Sequence, residues 1–174
     1  LLDSIIKKND CCFDIGANKG YYTYKLEQLT ESKNIYAFDP IPENYNFLKK
    51  IFKKCNIYKY ALSDKSSIAK FKIPMINKKL FHTRGKLNFN LLEKNEDGFK
   101  TIEVECQTLD LFIKKEKVNK LNFIKIDVEG NELNVLRGGI DSIKKFKPIL
   151  LIEIEQRHHN ININKIFDFI IRLE

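Results

Sequence analysis

Glycine and proline are scarce in this chain, with seven and four among 174 residues. Their scarcity excludes a collagen-like repeat and an extended linker, and the 43% hydrophobic content is enough to bury a core. Cysteine is scarce as well. Cys11, Cys12, Cys55 and Cys106 show no C-x-x-C and no paired metal spacing, which sets aside a disulfide framework; Cys11 and Cys12 lie in an apolar run and read as buried thiols. No apolar run approaches the roughly 20 residues of a membrane span, and residues 1–6 are too short for the apolar centre of a signal peptide. The expectation is a cytoplasmic protein with no membrane span. Arginine is the rarest charge, 4 residues beside 27 lysines, whereas readers of phosphates and bases lean on the bidentate arginine fork. Charge is nevertheless uneven: residues 44–86 hold twelve Lys or Arg against one acid, Asp64, in a chain of net charge +8, so the remainder is net acidic. A basic lobe attracts an acidic substrate, a phosphate or nucleic acid. The lysine-rich bias points instead to codon usage, and no specific nucleic-acid contact is expected.

What is present is an alternation of short apolar runs and helical periodicity. Residues 11–15, 34–38, 56–61, 121–126 and 149–154 read as buried strands. Between them Tyr22, Leu26 and Leu29 share one helical face, and Tyr45, Leu48 and Phe52 another. Leu133, Leu136, Ile140 and Ile143 make a third, broken at Gly138-Gly139, and Ile163, Ile166, Phe167 and Ile170 a fourth. This order implies an α/β doubly wound, mostly parallel sheet, in which a ligand lies beyond the carboxyl ends of the strands where strand order reverses. Residues 68–107 interrupt the rhythm: 69–73 and 101–106 read as two further strands around a loop of about 25 residues, long enough to be functional. One domain over 1–174 is expected, C-terminally truncated, because the chain stops on a helix where the fold calls for another strand. The last strand is then left open to pairing with a second copy.

The first strand runs into Phe13-Asp14-Ile15-Gly16-Ala17-Asn18-Lys19-Gly20. Gly16 and Gly20 allow a tight turn and close approach to a ligand, and free N–H groups at the helix start favour an anion such as a carboxylate. Asn18 stands where the glycine that admits a pyrophosphate would be, so a dinucleotide fits poorly. Asp14 can accept from a ligand ammonium, and Asp39, at the end of the second strand, suits the two hydroxyls of a ribose. An adenosine carrying an amino-acid head has these features, as S-adenosylmethionine does.

The ordered set of motifs resembles the FkbM-type S-adenosylmethionine-dependent methyltransferases over nearly the whole chain. It comprises the turn above continued through Tyr21-Tyr22-Thr23, then Ala37-Phe38-Asp39-Pro40, Ala61-Leu62-Ser63-Asp64 and Thr108-Leu109-Asp110. It continues with Ile124-Lys125-Ile126-Asp127-Val128-Glu129-Gly130-Asn131-Glu132, then Val135-Leu136-Arg137-Gly138-Gly139, and the run from Pro148 to His158-His159. The resemblance implies a Rossmann-like fold, S-adenosylmethionine as cofactor, and O-methylation of a hydroxyl on a sugar, glycan or secondary metabolite. It implies that Asp14, Gly16, Asn18, Gly20 and Thr23 surround the methionine end, that Asp39 holds the ribose, and that Ser63 and Asp64 meet the adenine edge. Asp127 would face the methyl donor and Glu129 the acceptor hydroxyl, with Glu132 as a helix N-terminal acid. A general base is required, and Glu129, Glu153, His158 and His82 are the candidates. His159 follows His158 on the same ligand-facing side, and His82 lies in the long loop, where it would lid or select the acceptor. No ligand spacing assigns a metal, although Asp127, Glu129 and Glu153 are types that hold a hard cation. Two other classes stay open, an RNA or other nucleic-acid methyltransferase and a non-catalytic adenosylmethionine binder.

Overall fold

The computed structural model describes residues 1–87, 96–159 and 162–173. In chain order its elements are α1 (Leu2–Ile5), β1 (Cys12–Ile15), α2 (Tyr21–Glu27), β2 (Ile35–Phe38), α3 (Pro42–Ile51), β3 (Asn56–Tyr58) and β4 (Ala61–Leu62). There follow β5 (Ser67–Ile76), β6 (Lys79–Leu80), β7 (Lys86–Leu87), β8 (Gly98–Gln107) and α4 (Leu109–Lys115). The chain then forms β9 (Phe123–Ile126), α5 (Glu132–Arg137), α6 (Ile140–Phe146), β10 (Ile149–Ile152) and α7 (Asn164–Ile171).

Five strands make an all-parallel sheet in the order β10-β9-β1-β2-β3, which confirms the doubly wound α/β reading. The central strands are apolar on both faces because helices cover both. Phe13, Ile15, Ile124 and Ile126 pack with Leu109, Phe112, Val135 and Ile166 on the side of α4 to α7. Cys12, Ile35, Ala37 and Phe123, offset by one residue, pack with Leu26, Leu48 and Phe52 of the α2–α3 side. The helices have visible local causes: Pro42 opens α3 at its first position, and the Thr108 hydroxyl accepts from Leu111 N–H to cap α4. All four cysteines are buried free thiols. Burial pushes Cys11 and Cys12 up to about 12.

The second sheet runs β4-β8-β5-β6, with β7 also on β5. The two strands expected within 68–107 are longer than their apolar runs and pair antiparallel from Ser67 opposite Cys106 to Met75 opposite Gly98. Residues 88–95 of the expected loop lie outside the described residues. The run 56–61 is one correction: it divides between β3 in the first sheet and β4 in the second, where Ala61 pairs with Cys106. Part of the basic stretch 44–86 is buried. Lys72 is fully buried and paired with Glu96, and Lys86 is half-buried.

Candidate active site

Strand order reverses between β1 and β9, and a cleft opens at their carboxyl ends. It encloses about 580 Å³ of empty space when the open solvent at its mouth is included. Gly16, Asn18 and Asp39 line one part, Tyr60, Ala61 and Leu62 another, and Asp127, Val128, Glu129 and Asn131 a third. His82, Gly85 and Leu87 of the second sheet close the remaining wall.

The glycine turn is shaped first by the protein. A Cβ on Gly16 (φ +77°) would lie 1.9 Å from the Asp127 carbonyl oxygen, and one on Gly20 (φ +80°) 2.3 Å from the Phe52 ring. The turn is then tied to β2, where Asn18 N–H donates to Asp39 Oδ2 at 2.8 Å. Asp39 Oδ1 accepts from Ile41 N–H at 3.0 Å, and the Asn44 amide spans both oxygens at 3.2 and 3.3 Å. Asp39 is therefore buried and hydrogen-bonded throughout; burial pushes its carboxyl up to about 6 against those bonds. The motifs do not single out Asn44, although an amide one helical turn into α3 is a recognisable partner for a strand-end acid.

Beneath the turn, Thr23 Oγ1 donates to Asp14 Oδ2 at 2.7 Å, and both residues are fully buried. Lys125, in register with Asp14 on the neighbouring strand, places Nζ 2.7 Å from the Gly16 carbonyl. The same ammonium is 3.3 Å from Asp14 Oδ1 and 3.5 Å from Asp127 Oδ2. Sequence reasoning passes over this buried cation as well; its signal is a lone lysine between two isoleucines in a strand beside a buried aspartate. Neither Asp14 nor Thr23 lines the cleft.

The β9–α5 loop carries the unusual chemistry. Glu129 sits at φ +51° and Gly130 at +98°. Glu129 Oε2 lies 2.7 Å from His158 Nε2, so the structure unites two residues that the sequence offered as rival bases. Burial, followed by Asp127, pushes Glu129 up to about 7. Burial, followed by Arg157 and Lys86, lowers His158. Glu132 accepts from Val128 N–H at 3.2 Å and Gly130 N–H at 3.0 Å, and its other oxygen is 3.0 Å from His159 Nε2. Glu153 stands apart from the main cleft, in a shallow hollow with Tyr22, Lys125 and Asp127. Asp127 raises its carboxyl.

Ser63 and Asp64 are not brought to the cleft wall. Ser63 is buried with its hydroxyl 3.3 Å from Asp64 Oδ1, and Asp64 is exposed. The neighbouring wall is instead Tyr60, which stacks on Tyr58 at 6.1 Å, and Asn131, which donates to the Leu62 carbonyl at 3.0 Å. The arrangement fits an adenosine with an amino-acid head in one respect that the protein leaves open. Asn18 Oδ1 is buried at the cleft with no hydrogen-bond partner among the described residues, an acceptor available to a ligand ammonium. No cluster of three His, Cys, Asp or Glu among the described residues is placed to hold a metal ion. Nor is any helix among them long and apolar enough to cross a membrane.

A search of curated proteins finds no match. Among solved structures, an FkbM methyltransferase from Methylobacillus flagellatus KT superposes with a TM-score of 0.63 at 16% identity, covering 97% of this chain. The chain spans 38% of that protein's length, and the likeness speaks for the fold. The family model of the methyltransferase FkbM domain matches residues 14–173. With the parallel sheet, the reversal point and the 127–132 loop in place, the chain belongs to the FkbM methyltransferase family.

Proposed function

We propose that the cleft binds S-adenosylmethionine and that the chain directs its methyl group to a hydroxyl of a sugar, glycan or other small metabolite, with Glu129 as the proton acceptor. The observation that carries this reading is Glu129 itself. It is a cleft-lining carboxyl held on left-handed backbone and raised to about 7, where a general base is most effective. Asp39 lies across β1 from it, so nucleoside and acceptor would occupy opposite sides of the reversal point.

Bound S-adenosylmethionine would supply an electrophilic methyl carbon. The Gly16–Gly20 turn and Asn18 Oδ1 would hold its amino-acid end, and Tyr60, Ala61 and Leu62 its adenine. Asp39 would take the ribose hydroxyls, exchanging the long Asn44 contacts for them. Lys125 keeps Gly16 and Asp127 in place from below. Glu129 would take the proton of the acceptor hydroxyl that receives the methyl group, with His158 Nε2 standing 2.7 Å from its carboxylate. Besides burial, Asp127, Glu155 and Glu153 raise the Glu129 carboxyl against the opposing cation Arg157; this excess of acids around Glu129 disfavours a polyanion and supports a neutral acceptor over RNA.

Calorimetry with S-adenosylmethionine, followed by transfer of labelled methyl to a panel of sugars, nucleotide-sugars and RNA, tests the proposal. Cofactor binding with label in a hydroxylated small molecule is expected. Label in RNA alone would reject the acceptor class, and absence of cofactor binding would reject the proposal entirely.

A further inference from the structure

The loop that presents Glu129 has two consecutive left-handed residues, Glu129 at φ +51° and Gly130 at +98°. Glycine adopts that conformation freely; glutamate does so only when surrounding groups over-determine it. The groups that do so are visible. Glu132 Oε1 accepts from the N–H groups on either side of Glu129, those of Val128 and Gly130. The Glu132 carboxylate is 2% exposed; its second oxygen accepts no hydrogen bond among the described residues, and its polar neighbour is the imidazole of His159, with Nε2 at 3.0 Å. The same turn lays the His158 carbonyl on Gly130, where a Cβ would stand 2.5 Å away. Glu132 and His159 do not line the cleft, whereas Glu129 does.

We propose that His159 is a positioning residue: through Glu132 it holds the 127–130 loop in the conformation that presents Glu129 to the cleft. It does not line the cleft; it acts on the loop through Glu132, and its nearness also disfavours charging of His158. The importance of that placement rests on the reading of Glu129 as proton acceptor; the placement itself does not. The imidazole is the polar neighbour of that buried oxygen, so removing it favours Glu132 turning toward water and releasing both loop amides.

The test is carboxyl NMR on protein labelled with ¹³C-glutamate, with the Glu129 signal assigned by its loss in Glu129→Gln. The midpoint of Glu129 reports where the loop puts it. Asp127, Glu153, Glu155, Arg157, His158 and Lys86, which act on Glu129 or its partner, are unchanged in every variant compared, and the direct effect of the His159 imidazole on His158 is lost equally in its Leu, Gln and Asn variants. Wild-type protein should titrate near 7. In His159→Leu the midpoint should fall by one or more pH units toward the ordinary carboxylate range, and in His159→Gln, whose amide reaches the same oxygen, it should stay. Should the leucine variant fail to fold, His159→Asn, polar but too short to reach, should give the same fall. A folded Leu or Asn variant with the wild-type midpoint overturns the proposal. The titration needs no cofactor or acceptor, so a failed methyl-transfer assay would count against the reading of Glu129 as base and not against the loop. With a working acceptor, His159→Leu should lower kcat about tenfold with cofactor affinity within twofold, and His159→Gln should restore it. Equal losses in both variants would likewise overturn the relay.

Discussion

On the β2 side of the cleft, the Asp39 carboxylate accepts hydrogen bonds made within the protein, from Asn18, Ile41 and Asn44. On the β9 side, Glu129 stands on left-handed backbone, faces a histidine whose charging is disfavoured, and titrates near neutrality. One region is organised and the other is poised. The difference matches what the proposed function asks of each: a nucleoside site would gain affinity by being rigid beforehand, whereas a proton-transfer site would need a group whose two charge states lie close in free energy.

The largest effect should come from breaking the organised side. Gly16→Ala places a Cβ 1.9 Å from the Asp127 carbonyl at φ +77°. It should cost about 3 kcal/mol or more of stability, read by urea denaturation; a loss under about 1 kcal/mol would show that the turn and β9 can part freely.

Next comes the poised side. Glu129→Gln should lower turnover by about 10²-fold or more, with cofactor affinity unchanged in calorimetry. In the wild type the rate should rise with pH through about 7 as Glu129 becomes able to accept a proton, and the residual rate of the Gln variant should lack that limb. Stability gives the opposite sign. The folded carboxyl sits near 7 against an ordinary 4.5, so its ionisation costs stability fully above the folded value and not below the unfolded one. Urea midpoints should therefore show Glu129→Gln gaining on wild type at pH 8 relative to pH 4.

A smaller effect is expected at Asp39. Asp39→Ala should weaken S-adenosylmethionine by about 1.5–3 kcal/mol. Asp39 also bears on the fold. The structure buries it at 4% and hangs two loop amides on it, so thermal stability should fall as well. The smallest effect is at Asp64, which is exposed and away from the cleft wall: Asp64→Asn should change affinity by less than about 0.5 kcal/mol. A tenfold loss there would restore an adenine contact.

The contrast between the two sides also explains what the sequence could reveal. The five parallel strands were legible because buried strands are continuous apolar runs, and the glycine turn because its spacing is local. Glu129 and His158 were each legible as candidate bases, but their 2.7 Å approach was not, since it depends on the β9 and β10 carboxyl ends lying side by side. The parallel pairing of Ala61-Leu62 with Cys106-Gln107 was hidden for the same reason. An apolar run carries its burial, not its partner, and 56–61 gave no mark of being shared between two sheets. Lys125 was hidden too: within an apolar strand a lysine looks like an interruption until its register neighbour proves to be Asp14.

The most direct test of the division is one calorimetric series, S-adenosylmethionine titrated into wild type, Asp39→Ala and Glu129→Gln. Binding by wild type, at least tenfold weaker binding by Asp39→Ala, and unchanged binding by Glu129→Gln are predicted. Absence of binding by wild type, or loss of binding in Glu129→Gln with none in Asp39→Ala, would contradict it.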